Sequence, residues 1–166
     1  MTPMTIRKAS LEELAEINSV IELCVDGRPV TDRIKKLTLP SLRLEPTDFK
    51  FMEVWVSGIP ISGVLGLQEI KEGTLLHSLY VDLEAGGKGI GSALVKQAIQ
   101  STRETNQHRL LVKSFAESVG FFEKAGFTPS DVLDYPYTLE MSLKASVPPL
   151  AESSAFSALS IKLEMG

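Results

Sequence analysis

The chain has 166 residues, of which 43% are apolar and 23% charged, the size and balance of one soluble globular domain with a real hydrophobic core. Its formal net charge of −4 argues against general nucleic-acid binding, which draws its affinity from basic contacts to phosphate. No apolar run approaches the roughly 18 residues of a membrane span, and the opening MTPMTIRKAS has no signal-peptide core, so a cytoplasmic, membrane-free protein is expected.

Met4 to Ala9 reads as a short strand. Ser10-Leu11-Glu12-Glu13 has the form of a capping box, in which Glu13 reaches back to the chain at Ser10. Leu11, Leu14, Ile17 and Ile21 follow at helical spacing, predicting a helix over 10–24. Cys24, the only cysteine, falls on the apolar phase of that helix; it is expected to be an inert thiol, and no intramolecular disulfide can form. A lone cysteine also suits a reducing cytoplasm. Asp26-Gly27-Arg28-Pro29 breaks the helix, and a shorter one is predicted over 30–38, before Pro40.

Three β-rich runs come next: Phe49 to Ser57, Ile61 to Ile70 and Thr74 to Asp82, separated by turns at Ser57-Gly58-Ile59-Pro60 and Glu72-Gly73. They predict an antiparallel meander. Ile90, Ala93, Leu94, Gln97 and Ala98 then share one face of a helix over about 89–105. Arg109 to Ser114 is a strand. Ser114-Phe115-Ala116-Glu117 reads as a second capping box, opening a helix that stops at Gly126. Two more strands follow, the last over Tyr137 to Lys144, with Asp134-Tyr135-Pro136 between them. The order β-α-α-β-β-β-α-β-α-β-β predicts an α/β fold, a mixed sheet with helices on its faces. Residues 1–145 form the expected domain and 146–166 an extension. Within the extension, Leu159, Ile161, Leu163 and Met165 alternate with polar residues, which is strand periodicity. Such a strand would pair with a sheet edge, its own or that of a second copy, so a homodimer is one expected arrangement.

The chemistry concentrates in VDLEAGGKGIGSAL, residues 81–94, where a strand runs through glycines into a helix. A helix N-terminus offers unpaired amides and a positive dipole end, which suit a pyrophosphate. Gly87, Gly89 and Gly91 let backbone approach phosphate oxygens, and Lys88 adds a charge. A P-loop would need Ser or Thr after Gly87-Lys88, where Gly89 stands; a dinucleotide fingerprint would need glycine where Ser92 stands. A glycine-rich turn that merely connects a strand to a helix is the remaining alternative.

With the later segment Phe121-Phe122-Glu123-Lys124-Ala125-Gly126-Phe127, this turn resembles the GNAT superfamily of acetyl-coenzyme A-dependent N-acetyltransferases. That family's phosphate motif is Arg or Gln, two residues of any kind, Gly, any residue, then Gly or Ala. Gly86-Gly87-Lys88-Gly89-Ile90-Gly91 matches it except at the first position. The late segment resembles the family's Phe-Tyr-x-Lys-x-Gly-Phe. The resemblance spans about 4–144. It implies acetyl-CoA as co-substrate, with its pantetheine arm in the gap where two parallel strands part, against Leu79 and Val81. Its pyrophosphate would meet the amides of Lys88, Gly89, Ile90, Gly91 and Ser92. An amine, small or on a peptide, would attack the thioester directly through a tetrahedral intermediate. No metal is needed, and no His/Cys cluster suggests one.

Two positions depart from the family pattern. Gly86 replaces Arg or Gln, and Phe122 replaces the Tyr whose hydroxyl often protonates the departing thiolate. They keep open a second reading, a coenzyme-binding or sensing module without turnover. For the proton that the amine must lose, His77 is the candidate base; the resemblance implies this too, since aralkylamine-acetylating relatives carry a histidine at the matching place. Strand alternation predicts that His77 shares a face with Leu75, Leu79 and Val81, opposite Tyr80. Glu69 and Glu72 are lesser candidates, as is His108. Tyr135 and Tyr137 are expected near the acceptor.

Overall fold

The structure is a computed structural model that describes residues 5–143. The alternating segment 159–165, the rest of the extension and the end of the last expected strand lie outside the described residues.

A seven-stranded sheet carries helices on both faces. Its strands are β1 (Ile6–Lys8), β2 (Met52–Ser57), β3 (Gly63–Ile70), β4 (Gly73–Val81), β5 (Arg109–Lys113), β6 (Thr128–Pro129) and β7 (Thr138–Ser142), in spatial order β1-β2-β3-β4-β5-β7-β6. All neighbours are antiparallel except β4 and β5, which run parallel. The helices are α1 (Leu14–Asp26), α2 (Asp32–Leu42), the single turn α3 (Asp48–Phe51), α4 (Ile90–Glu104) and α5 (Val119–Lys124). The predicted element order holds, with α3 and three short 3-10 turns added.

Each face buries its own apolar cluster. On one, Ile17, Ile21 and Val25 of α1 meet Val54, Val56, Val64 and Tyr80. On the other, Leu94, Val95 and Ala98 of α4 and Phe122 of α5 pack on Leu65, Leu67, Leu76 and Val112. Both sets follow the helical and strand periods of the sequence.

Local differences have local causes. The strand predicted from Phe49 begins only at Met52, because Asp48 Oδ2 accepts the Glu45 amide (2.7 Å) and winds 48–51 into a helical turn. α2 continues through Pro40 to Leu42. Pro40 stands in the last turn, where the helix is about to end, and the Arg43 amide closes that end on the Leu39 carbonyl (3.0 Å). At Ser10 the Glu13 carboxylate reaches back to the amide (3.0 Å) as a capping box requires. At Ser114 no such box forms: its hydroxyl donates to the Phe115 carbonyl (2.6 Å), and Glu117 turns away to pair with Arg28.

Candidate functional site

The parallel pairing of β4 with β5 covers only Thr74/Leu110, Leu75/Leu111 and Leu76/Val112. Beyond Leu76 the two strands part, and residues 77–81 have no partner on the β5 side. On the β3 side the register slips at the same place. Gly66 pairs with Ser78 and Leu67 with Leu76, so His77 is left over as a bulge. This corrects the expected face of His77. Leu65 and Leu67 share a face, so their partners Leu79 and Leu76 do too, while Leu75, opposite Gln68, lies on the other. His77 belongs to neither alternation. It stands where the strands separate, with Nδ1 2.9 Å from Ser78 Oγ.

After β4, a 3-10 turn and four glycine-rich residues lead into α4. Gly87 (φ +81°) and Gly89 (φ +77°) adopt left-handed backbone, which an L side chain enters at a cost of about 1–2 kcal/mol. An added Cβ at either would meet nothing within 4 Å, so it is open space and backbone conformation together that favour glycine. α4 has no side-chain cap and no acidic residue in its first turn. Among the described residues nothing satisfies its first amides, and no side chain there compensates the dipole's positive end. Gly91 is different: a Cβ there would approach the Phe121 ring at 3.2 Å, so this glycine lets α4 and α5 close on each other.

Between that helix start and the parted strand lies a cleft of about 400 Å³. Leu79 and Val81 line it from β4, Gly86, Gly87 and Gly89 from the turn, and Ile90, Gly91 and Ser92 from α4. Phe122 borders it from α5. Lys88 sits on the exposed rim, outside the lining. Sequence reading missed Ala85, Ser118 and Phe121, which complete the walls. Gly91 was the available signal for Phe121, since a glycine inside a helix marks a close approach. Nothing in the sequence marked Ser118.

A second, smaller cavity of about 80 Å³ occupies the gap between β4 and β5. His77, Tyr80, Lys113, Ser114 and Phe115 border it, with Leu42 of α2 above. Tyr80, expected to point away from His77, is buried on the α1 face yet borders the same cavity, because the bulge at His77 breaks the alternation that would separate them. Desolvation pushes the His77 pKa below its ordinary value; Asp48 partly offsets this and Lys113 adds to it. His77 nonetheless keeps an exposed edge, and the downward direction favours the neutral imidazole, the form that accepts a proton.

The other candidates lie elsewhere. Glu69 pairs with Thr74 at the far end of the meander and accepts from Gln107. Tyr135 donates to the Ser114 carbonyl (3.1 Å) and stacks edge-on against Tyr137, and neither ring borders the two cavities. Cys24 donates its thiol to the Val81 carbonyl (3.1 Å), and burial pushes its pKa up to about 11. Among the described residues, no group of three His, Cys, Asp or Glu is placed to hold a metal, and no helix is long and apolar enough to cross a membrane.

Comparison with known proteins agrees with this architecture. No curated protein matches the chain by sequence. Among solved structures it is similar to the PaiA N-acetyltransferase of Thermoplasma acidophilum in complex with coenzyme A, with a TM-score of 0.71 and 16% identity over 85% of this chain and 99% of that one. It is also similar to a GNAT family acetyltransferase of Brucella melitensis in complex with acetyl-CoA (TM-score 0.65, 18% identity, 89% and 93% covered). The ribosomal-protein-S18-alanine N-acetyltransferase of Escherichia coli is a further neighbour (TM-score 0.59, 17% identity, 85% and 93% covered). At these identities the likeness is one of fold. The family model for the acetyltransferase (GNAT) domain matches residues 45–134, more than half of the chain, from the approach to β2 through the α4 turn and α5. The chain belongs to the GNAT acetyltransferase family and is by class an acyltransferase.

Proposed function

We propose that this protein transfers acetyl from acetyl-CoA to an amine, either a small primary amine or a peptide amine. One observation carries the reading. The parted β4–β5 pair opens between the uncapped, glycine-lined start of α4 and α5, and a histidine stands where the strands separate. The residues suit the co-substrate. Amides of Gly89, Ile90, Gly91 and Ser92 would hold its pyrophosphate, and the backbone groups of 77–81 that face the β5 side without a strand partner would bond its pantetheine arm. The similar structures with coenzyme A or acetyl-CoA bound support this choice.

In this reading His77 takes a proton from the incoming ammonium, directly or through one water, and the free amine attacks the thioester carbonyl. The proposal includes a cytoplasmic setting, in keeping with the unpaired Cys24. The test is turnover of acetyl-CoA against polyamines, aralkylamines, amino acids, aminoglycosides and peptide N-termini. Acetylation of one class supports the reading.

A second reading follows from Phe122, which is 4% exposed and packed edge-on against Phe121 and Phe127. It brings no hydroxyl to the leaving sulfur, and Gly86 brings no side chain to the phosphates. A coenzyme-binding module without turnover would bind acetyl-CoA and acetylate no member of the panel.

A further inference from the structure

The large cleft and the small cavity meet along a shared wall of three residues, Leu79, Ser118 and Phe122. If the pyrophosphate lies at the α4 end of the first and the pantetheine arm runs along β4 toward the gap that holds the second, the thioester carbon and sulfur come to lie against this wall. Two of the three side chains are hydrocarbon. The third, Ser118, brings a hydroxyl. It stands at the cap position before α5 but caps nothing, and its Oγ makes no hydrogen bond among the described residues. Most other polar groups nearby are committed or displaced, and Lys113 borders the smaller cavity but not the coenzyme cleft. Ser114 Oγ donates to the Phe115 carbonyl. His77 is engaged with Ser78. Tyr80 belongs to the α1 face and does not border the coenzyme cleft.

Ser118 also stands in a telling relation to Phe122. The two are four residues apart at the start of α5, so their side chains are neighbours on one face. A long helical side chain leans toward the turn before it, so a ring at 122 leans toward Ser118. A hydroxyl at 118 can therefore serve the region that a phenol at 122 would reach.

We propose that Ser118 is a catalytic residue of the acetyl transfer, carrying a proton from the attacking nitrogen to the departing sulfur. The inference rests on the acetyltransferase reading above. The nitrogen lone pair forms the C–N bond, and the C–S pair leaves on sulfur. Serine is too weak an acid to give up its proton alone near pH 7. It gives its hydroxyl proton to sulfur while taking one from the positively charged nitrogen, and ends unchanged. His77 and Ser118 then handle different protons: His77 the one that frees the amine for attack, Ser118 the one that releases the thiol.

The test compares Ser118→Ala, Ser118→Thr and Ser118→Ala with Phe122→Tyr, all checked for wild-type thermal midpoints, since no cap bond is lost. With the acceptor found in the panel, Ser118→Ala should lower kcat about a hundredfold or more, with the acetyl-CoA dissociation constant and the amine KM unchanged. Ser118→Thr should retain most of the rate, and Phe122→Tyr should restore part of it to Ser118→Ala. Wild-type kcat in Ser118→Ala, a parallel loss of coenzyme affinity, or a threonine variant as slow as alanine would overturn the role of Ser118 while leaving the acetyltransferase reading in place. Absence of wild-type turnover on every acceptor would overturn both.

Discussion

Arg28, just beyond α1, reaches Glu117, in the turn between β5 and α5, with Nε 2.6 Å and Nη2 3.3 Å from the two carboxylate oxygens. Its guanidinium also lies 3.6 Å over the Phe115 ring. The pair ties the helix packed on β3 and β4 to the connection leaving β5, beside the opening where β4 and β5 part. The hydrogen bond from Arg28 holds the Glu117 carboxyl below its ordinary value, against the opposing effect of desolvation. A depressed carboxyl stabilises the fold above the ordinary carboxylate pKa, and that contribution is lost as pH falls through the folded value.

Glu117→Gln is therefore expected to cost about 1 kcal/mol at neutral pH, because the pair is only partly shielded. The cost should vanish in strong acid, where the wild-type carboxyl is also protonated. Urea unfolding of both chains at neutral and acid pH measures it. An equal difference at the two values would mean that shape, and not charge, joins these segments.

Gly89→Val is expected to lower acetyl-CoA affinity sharply in a folded protein. The residue sits at φ +77° with open space beyond it, so a side chain enters no packed neighbour. It must instead strain or rearrange the turn that aims the amides. Calorimetric titration with acetyl-CoA, beside a thermal melt, separates binding from stability; undiminished affinity would remove the coenzyme from this turn.

His77→Gln is expected to lower kcat about a hundred- to ten-thousand-fold with little change in coenzyme affinity. A base works in its neutral form, and partial desolvation by its surroundings lowers the His77 pKa from the ordinary 6.5. The acidic limb of the wild-type rate profile should therefore lie below about pH 6.5 and disappear in the variant. A variant that keeps both rate and profile would leave His77 as the residue of a bulge and no more.

Cys24 is expected to be slow toward thiol reagents in the native protein and fast after unfolding. With its pKa pushed up to about 11 by desolvation, despite the hydrogen bond to Val81, its thiolate population at neutral pH should fall roughly a hundredfold below that of an ordinary cysteine. Reaction with a chromogenic disulfide, with and without denaturant, measures the contrast. Equal rates would place the thiol at the open surface.

The element order, both apolar faces and the glycine turn before α4 were legible along the chain because each depends on neighbours in sequence. Leu94 and Ala98 repeat with the helix, Val54 and Val56 with the strand, and Gly87 and Gly89 stand where a strand must turn into a helix. What tertiary structure alone decided concerns pairing. The slip between Gly66 and Leu67 ejects His77 from the alternation and puts Leu75 and Leu79 on opposite faces, and no periodicity within β4 could reveal a residue left over against β3. The same holds for Glu117. Its spacing from Ser114 reads as a capping box, but Arg28, 89 residues away in sequence, offers it a full charge where the local alternative was a single amide. Ser118 is the third case, an ordinary serine in the letters, made notable by the two cavities that β4, β5, α4 and α5 together form on either side of it.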